Sequence, residues 1–443
     1  MTVPRTTRRR FLQSAALAGV GYWSFGAGAA WGASRWVNEK LAIGVIGAGG
    51  KGYSDMMGVA RTEHIVAICD VDRQRADRAV KARPKAKYYY DFRKMLEQEK
   101  LDAVTISTPD HMHAPAAVMA MNLGLHVYVQ KPLTHNVAEA RQLLLLARKK
   151  KVATIMGNQG TSMNGFRRGV EVIRSGVLGK VKSVHVWTNR PGRFWKQGLR
   201  RPDRSDPVPE YLKWNLWLGV APERPYVKGL YHPFNWRGWW DFGTGALGDM
   251  ACHTMNLVYM GLQLGAPDWV EAKSDGGTEE SPPLWSTITY HFPDDGKRGE
   301  VTLVWYDGHK DGKPNMPPPS VAPGVPIPRT GSMIVGTEGV LVSASDYGGT
   351  YKLYPEAKFA GYKPPEPTLP RAPGHYQEWL IACKGGPQAL GSFEYACPLT
   401  ETVLLGNVAV RAGKRIHWDS KKLQVTNLPE ANQFVSRTYR KDW

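Results

Sequence analysis

Between Leu41 and Gly157 short apolar runs alternate with stretches whose apolar residues recur every three or four positions. The runs at 41–46, 64–69, 86–90, 102–107, 125–129 and 152–156 are short and rich in Val, Ile and Tyr, which predicts strands. The stretches near 54–60, 73–80, 91–98, 111–123 and 136–149 predict helices, with Asp91 and Asn136 placed to cap two of them. Strand and helix in regular alternation predict an α/β domain with a doubly wound parallel sheet. After a helix over 165–178 the pattern changes. Alternating runs at 181–187, 286–292, 300–305 and 332–335 cluster together and predict an α+β domain with a mostly antiparallel open sheet. Lys313–Arg329 holds seven prolines and reads as extended surface chain, as does 364–373. A helix is expected over 399–412, with an extended tail after it. The domain boundaries that follow are 40–160, 161–412 and a C-terminal extension over 413–443.

With 443 residues the chain has material for two or three domains, and its 42% hydrophobic and 22% charged content is ordinary for a globular protein. The formal net charge of +19 reads as a basic solvated surface, and could also favour acidic sugars, an anionic cell surface or nucleic acid. The basic residues are scattered, and no helix-turn-helix, zinc-finger or RNA-binding motif accompanies them, so no nucleic-acid partner is predicted. Cys69, Cys252, Cys383 and Cys397 have no metal-ligand spacing and are too few for a disulfide framework. They read as buried thiols, and no metal site is predicted.

The first strand breaks into Gly47-Ala48-Gly49-Gly50-Lys51-Gly52, which fits G-x-G-x-x-G. Gly47 permits the tight turn, Gly49 and Gly50 let a pyrophosphate approach the backbone, and Gly52 lets the next helix pack close. Glycine makes up 47 residues of this chain, so the motif alone says little. Its context says more, because a strand precedes it, a helix follows, and a second strand ends at Asp70. An acidic residue about 20 positions on binds the ribose hydroxyls of NAD. This is a Rossmann dinucleotide site. Asp70 and Asp72 repel a 2′-phosphate and favour NAD over NADP, although Arg73 and Arg75 could accommodate that phosphate.

Residues 1–33 read as a leader to be excluded from the fold. Thr7-Arg8-Arg9-Arg10-Phe11-Leu12-Gln13 resembles the twin-arginine export signal, and Ala27 and Ala29 offer an A-x-A cleavage register. The apolar run between them is short and broken by glycine, so no stable membrane span is expected. The expected partner is the twin-arginine export machinery, and the expected destination is the periplasm or beyond. That route carries folded proteins, which suits a chain that binds its cofactor first and holds it tightly.

Four segments in order and spacing resemble the Gfo/Idh/MocA family of NAD(P)-dependent sugar oxidoreductases. They are the glycine turn, Thr108-Pro109-Asp110-His111-Met112-His113, Lys131-Pro132, and Gly243-Thr244-Gly245-Ala246-Leu247-Gly248-Asp249-Met250-Ala251-Cys252-His253. The resemblance covers about residues 40–412. It implies that His253 is the acid/base on the sugar hydroxyl, that Asp249 binds or orients, and that Lys131 hydrogen-bonds the reacting oxygen. Asp249 and His253, four apart on a predicted helix, share one face. Thr108, Pro109, His113, Lys131, Asn158 and Gln159 are the further cofactor contacts expected. Tyr231, His232, Trp236, Arg237, Trp239 and Trp240 form a loop whose rings and donors could face a sugar, with Tyr306 and His309 as weaker candidates. The family usually has Glu-Lys-Pro, where this chain has Gln130-Lys131-Pro132, and its members commonly associate as homo-oligomers through the second sheet. An exported NAD-dependent sugar oxidoreductase is the reading that follows. Two others stay open: a redox-neutral, NAD-dependent glycoside hydrolase working by oxidation, elimination, hydration and reduction, and a non-catalytic sugar-binding protein.

Overall fold

The computed structural model describes residues 39–192 and 194–443; the expected leader lies outside them. The first sheet is built from β1 (Ala42–Ile46), β2 (His64–Cys69), β3 (Lys87–Tyr89), β4 (Ala103–Ile106), β5 (His126–Val129) and β6 (Thr154–Met156). All are parallel, in the order β3-β2-β1-β4-β5-β6. The crossover helices are α1 (Lys51–Val59), α2 (Arg73–Ala82), α3 (Phe92–Gln98), α4 (His113–Asn122) and α5 (Val137–Lys150). Asp91 Oδ1 accepts the Arg93 amide at 2.9 Å and starts α3. Asn136 Oδ1 accepts the Glu139 amide at 3.0 Å while Glu139 reaches back to the Asn136 amide, a reciprocal cap for α5. The strand order reverses between β1 and β4, where the chain leaves in opposite directions and opens a crevice at the carboxyl ends.

After α6 (Asn164–Arg174), β7 (Val181–Trp187), α7 (Trp214–Leu218), α8 (Gly245–Thr254) and α9 (Asn256–Leu262), a run of strands completes a second sheet. These are β8 (Trp269–Asp275), β9 (Trp285–Phe292), β10 (Val301–Lys310), β11 (Lys313–Pro314), β12 (Gly331–Gly336), β13 (Val340–Ser343) and β14 (Lys352–Tyr354). The short α10 (Glu356–Phe359), α11 (His375–Cys383) and α12 (Phe393–Ala412) follow, then β15 (Ile416–Asp419) and β16 (Gln424–Val425). The order is β14-β13-β12-β7-β10-β9-β8-β15-β16, with β11 on β10. Only β7 and β10 run parallel; the other pairs are antiparallel.

Three expectations are corrected. The tail beyond 412 is not merely extended, because β15 pairs with β8 and lengthens the sheet. The helix expected over 399–412 starts at Phe393 and runs through Pro398; a proline reads as a helix start, and this one sits in the second turn. The proline-rich stretch is not simply surface, since Met316, Val321, Ala322 and Ile327 pack on Trp187, Tyr306 and Met333 across the sheet's outer face.

The later helices also bind back onto the first domain. Arg141 on α5 makes a two-pronged ion pair with Glu401 on α12, at 2.8 and 2.7 Å. Tyr376 on α11 lies over Gly58 of α1, where a Cβ would come within 2.3 Å of its ring. Between β7 and α8 the loops carry their own aromatic core: Trp214 stacks on Trp217 at 4.6 Å, and Tyr231 meets Trp239 edge-on at 5.0 Å. Trp239→Ala empties the middle of that cluster and is expected to cost about 3–5 kcal/mol, read as a lowered denaturation midpoint with the substrate KM unchanged.

Candidate active site

A cavity of about 410 Å3 lies at the carboxyl ends of the parallel strands. One wall is the glycine turn. Gly47 has φ 81°, and its amide donates to Cys69 O at 2.8 Å. A Cβ on Gly47 would fall 2.6 Å from Ser107 O, and one on Gly52 would fall 1.9 Å from Gly47 O. No larger residue fits either place. Gly47, Gly49, Gly50 and Lys51 border the cavity, so the N-terminus of α1, whose dipole favours negative charge, lies where an anion would sit. This glycine-lined cradle, where a Cβ would clash at Gly47 and Gly52, fits a dinucleotide pyrophosphate. Asp70 Oδ2 accepts the amides of Ala48 and Gly49 at 2.8 and 3.1 Å, bracing the turn from below. Burial pushes the Asp70 carboxyl up, against the pull of those amides and that of Asp72.

Arg75 also borders the cavity, its guanidinium over Gly49 and Gly50. Arg73 does not. It stacks on Tyr88, 4.9 Å from the ring centre, and reaches Asp77 at 3.7 Å. Of the two arginines considered for a 2′-phosphate, Arg75 alone is in position. Asp72 faces across to the second domain, where His232 Nε2 lies 2.7 Å from its Oδ2. Burial pushes the Asp72 carboxyl up, but His232 and the Arg75 amide outweigh it and hold the group below the usual range.

At the other end β5 delivers Lys131 and α8 delivers Asp249 and His253. Lys131 Nζ donates to Asp249 Oδ1 at 2.8 Å and to the Asp249 carbonyl at 2.9 Å. Arg237 Nε reaches the same Oδ1 at 3.1 Å, and Arg190 Nη1 lies 3.6 Å from Oδ2. Burial works against the charge on Asp249, yet Lys131, Arg237 and Arg190 together hold its carboxyl far below the carboxylate range. Asp249 is therefore an anchor for cations and no proton acceptor at neutral pH. Behind it Asp110 takes the amide and hydroxyl of Thr244, at 3.2 and 2.8 Å, and no cation among the described residues pairs with it. Burial pushes it up to about 7, opposed by the charge of Arg237 and the Thr244 bond.

His253 is buried apart from its border on the cavity. Asn158 Nδ2 donates to Cys252 O at 2.5 Å, so its Oδ1 faces His253 Nδ1, at 2.8 Å. An amide oxygen only accepts, so Nδ1 carries the hydrogen and Nε2 keeps a lone pair. Burial, then the nearby Lys131 charge, drives the His253 pKa well below 6.5 and keeps the ring neutral.

The structure also accounts for Gln130. Its Nε2 donates to the buried Asp55 Oδ2 at 2.8 Å, and its Oε1 accepts the Lys131 amide at 3.2 Å. Asp55, one turn into α1, also receives Lys51 Nζ at 2.5 Å, Ser107 Oγ at 2.9 Å and Tyr376 OH at 2.8 Å. A glutamate at 130 would set a second carboxylate against the first. The negative charge behind Lys131 comes from α1.

Of the expected residues, Gly47, Gly49, Gly50, Asp70, Thr108, Pro109, Lys131, Gln159, His232, Trp236, Arg237 and His253 share this cavity, and Asp249 holds its lysine. Gly52 lies under the turn and Asn158 behind His253. Five of the expected residues are taken out of it. Tyr231, Trp239 and Trp240 are buried in the loop core or under α12, because rings flanked by other rings pack together before they face water. His113 lies between two carbonyls, Pro132 O at 2.8 Å and Thr108 O at 2.9 Å, and burial pushes it down to about 4. Tyr306 lies under the proline-rich segment, against His185. Residues that sequence reasoning missed are Asp55, Phe234, Tyr347, whose ring meets His253 edge-on at 4.8 Å, and Trp443. Only Asp55 carried a signal, as a carboxylate following the glycine turn.

Comparison with known proteins gives a consistent picture. A family profile described as oxidoreductase family, NAD-binding Rossmann fold, matches residues 41–158, and its companion, the C-terminal alpha/beta domain, matches 159–311. An uncharacterised oxidoreductase of Synechocystis is 26% identical over 228 residues, 50% of this chain and 51% of that protein. A glycosyl hydrolase family 109 protein of Shewanella sp. ANA-3 is 33% identical over 155 residues, 32% of this chain and 34% of that one. The chain thus spans between a third and a half of these relatives. Among solved structures, the WlbA dehydrogenase of Bordetella pertussis in complex with NADH and UDP-GlcNAcA superposes with a TM-score of 0.61 at 16% identity. That match covers 86% of this chain and 98% of the other. Aldose-aldose oxidoreductase of Caulobacter crescentus gives 0.54 at 14% identity, covering 86% and 100%. These likenesses establish the fold.

Two outcomes test this geometry. Gln130→Glu is expected to destabilise the fold by ~1–3 kcal/mol, and adding Asp55→Asn to recover most of it; strictly additive denaturation midpoints would separate the two residues. For His253 the neutral form persists above its lowered pKa and is lost as pH falls through it. The acid limb of kcat/KM should therefore lie below pH 6.5, and Asn158→Asp, by favouring the imidazolium, should move it upward.

Proposed function

The chain belongs to the Gfo/Idh/MocA oxidoreductase family and is an NAD-binding enzyme of that type, and from this premise we propose that it oxidises a hydroxyl of a sugar or sugar derivative by hydride transfer. The observation that carries the reading is His253, a neutral imidazole with its Nδ1–H fixed on Asn158 and its Nε2 on the cavity side. NAD, when bound, supplies the hydride acceptor. His253 Nε2 takes the proton of the hydroxyl as the carbon gives up its hydride. Lys131 spends two N–H groups on Asp249 and has a third for the reacting oxygen, where negative charge develops. Asp249 orients that lysine and carries no proton.

A redox-neutral cleavage of a glycoside uses the same groups. It is favoured by the relatives named glycosyl hydrolase family 109 and alpha-N-acetylgalactosaminidase in Shewanella. Oxidation at one carbon acidifies the neighbouring C–H, the glycosidic substituent leaves, water adds, and the carbon is reduced again. Export by the twin-arginine route, read from Arg8, Arg9 and Arg10, belongs to the same proposal, since a closed redox cycle suits an enzyme separated from the cytoplasmic NAD pool.

The test is a panel of sugars, uronic acids and chromogenic glycosides, followed both as NADH formed and as aglycone released. His253→Ala is expected to lower kcat by ~10²–10⁴ with sugar binding retained. NADH without aglycone marks net oxidation, and aglycone without NADH marks the closed cycle. Sugar binding with no turnover in either protein would point to a binding module instead.

A further inference from the structure

The described chain ends on a tryptophan that forms part of the cavity wall. Trp443 borders the cavity beside Tyr90, Asp91 and Phe92, at the carboxyl end of β3. The Arg93 guanidinium lies 4.1 Å from the centre of its ring and is itself clamped on Asp91, with Nη2 to Oδ2 at 2.8 Å. The ring is therefore held from behind by a cation whose own position is fixed.

The segment leading to it is fastened at each step. Arg437 donates to Glu139 at 3.1 Å and to His111 O at 2.6 Å. Tyr439 OH donates to the same Glu139 at 2.9 Å. Arg440 donates from its amide to Val220 O at 3.0 Å and from Nη1 to Asn215 Oδ1 at 2.7 Å. Glu139 and Arg93 belong to the Rossmann domain, whereas Asn215 and Val220 belong to the loop of the second. That loop supplies Leu216 and Trp217 to the cavity, and it is tied to the end of β2 by Lys213 N to Val71 O at 2.8 Å and Arg73 N to Tyr211 O at 2.9 Å.

Position along the cavity decides what Trp443 meets. The glycine turn would take the pyrophosphate and Asp70 the adenosine ribose, so the base would lie beyond Asp70, toward β3. That is where Tyr90, Phe92 and Trp443 stand. A flat ring backed by a guanidinium suits a flat heteroaromatic base. We propose that Trp443 packs against the adenine of the bound dinucleotide, and that residues 437–443 form a clasp that must loosen before the cofactor leaves. The inference rests on the dinucleotide reading of the cavity and not on which sugar is turned over.

The experiment loads the purified protein with NADH and chases it with excess NAD, following the loss of bound-NADH fluorescence. Trp443→Ala is expected to speed release at least tenfold, Trp443→Phe to restore most of the slow rate, and Arg440→Ala, which keeps the ring but unfastens its segment, to speed release as well. Circular dichroism on each variant separates a lost clasp from a lost fold, and Arg440→Ala carries the test if Trp443→Ala does not fold. Release at the wild-type rate in the folded variants overturns the clasp, as does a wild-type protein that holds no NADH. A protein that retains NADH slowly yet turns over no sugar leaves the clasp standing and defeats the sugar reading.

Discussion

The site depends on one buried carboxylate. Asp249 faces Lys131 from the parallel sheet and Arg237 and Arg190 from the second domain, and without it three largely buried cations would crowd together unpaired. Burying charge is tolerable only when it is paired and hydrogen-bonded, so the two domains can meet at this place in one arrangement. The pairing is also unequal. Three positive groups on one negative leave a surplus of positive potential, which an alkoxide or an acidic sugar would find favourable. Asp110 shows the contrast: burial pushes the same residue type up to about 7, because the charges of Arg237 and Lys131 and the Thr244 bond offset that burial only in part.

What the sequence disclosed was whatever depends on neighbours in the chain. The turn at Gly47, the cap at Asn136 and the end of β2 at Asp70 follow from local sterics and from residues a few positions apart. Asp249 and His253 came from the family resemblance of the 243–253 segment; their helical spacing alone showed only that they share a face. The aromatic loop was not legible, because composition cannot tell whether Trp239 faces a ligand or Tyr231; only the closing of the loop on itself decides it. Nor was the Asp55–Gln130 contact, 75 positions apart in sequence. β8, β11 and β13–β16 went unseen because such strands take their identity from the partner they pair with.

Gln130 shows how a departure from a family pattern can conserve its physics. A negative charge still stands behind the lysine strand, now reached through an amide. Asp55 ties that charge to Lys51 in the glycine turn and to Tyr376 on α11, so the cofactor cradle, the β5 end and a late helix share one hydrogen-bonded centre. A change at any of them is felt at the others, since a multiply bonded buried carboxylate cannot lose a donor without exposing an unmet acceptor.

The proline-rich segment has a different bearing. Its apolar residues lie on Trp187, Tyr306 and Met333, on the sheet face turned away from the helices, while further along that face Thr287, Thr289 and His291 are polar. An apolar sheet face covered by a second copy is protected only as far as mass action allows, and dilution uncovers it. A face covered by its own chain has an effective partner concentration set by the tether, so that part of the fold is indifferent to how dilute the protein becomes.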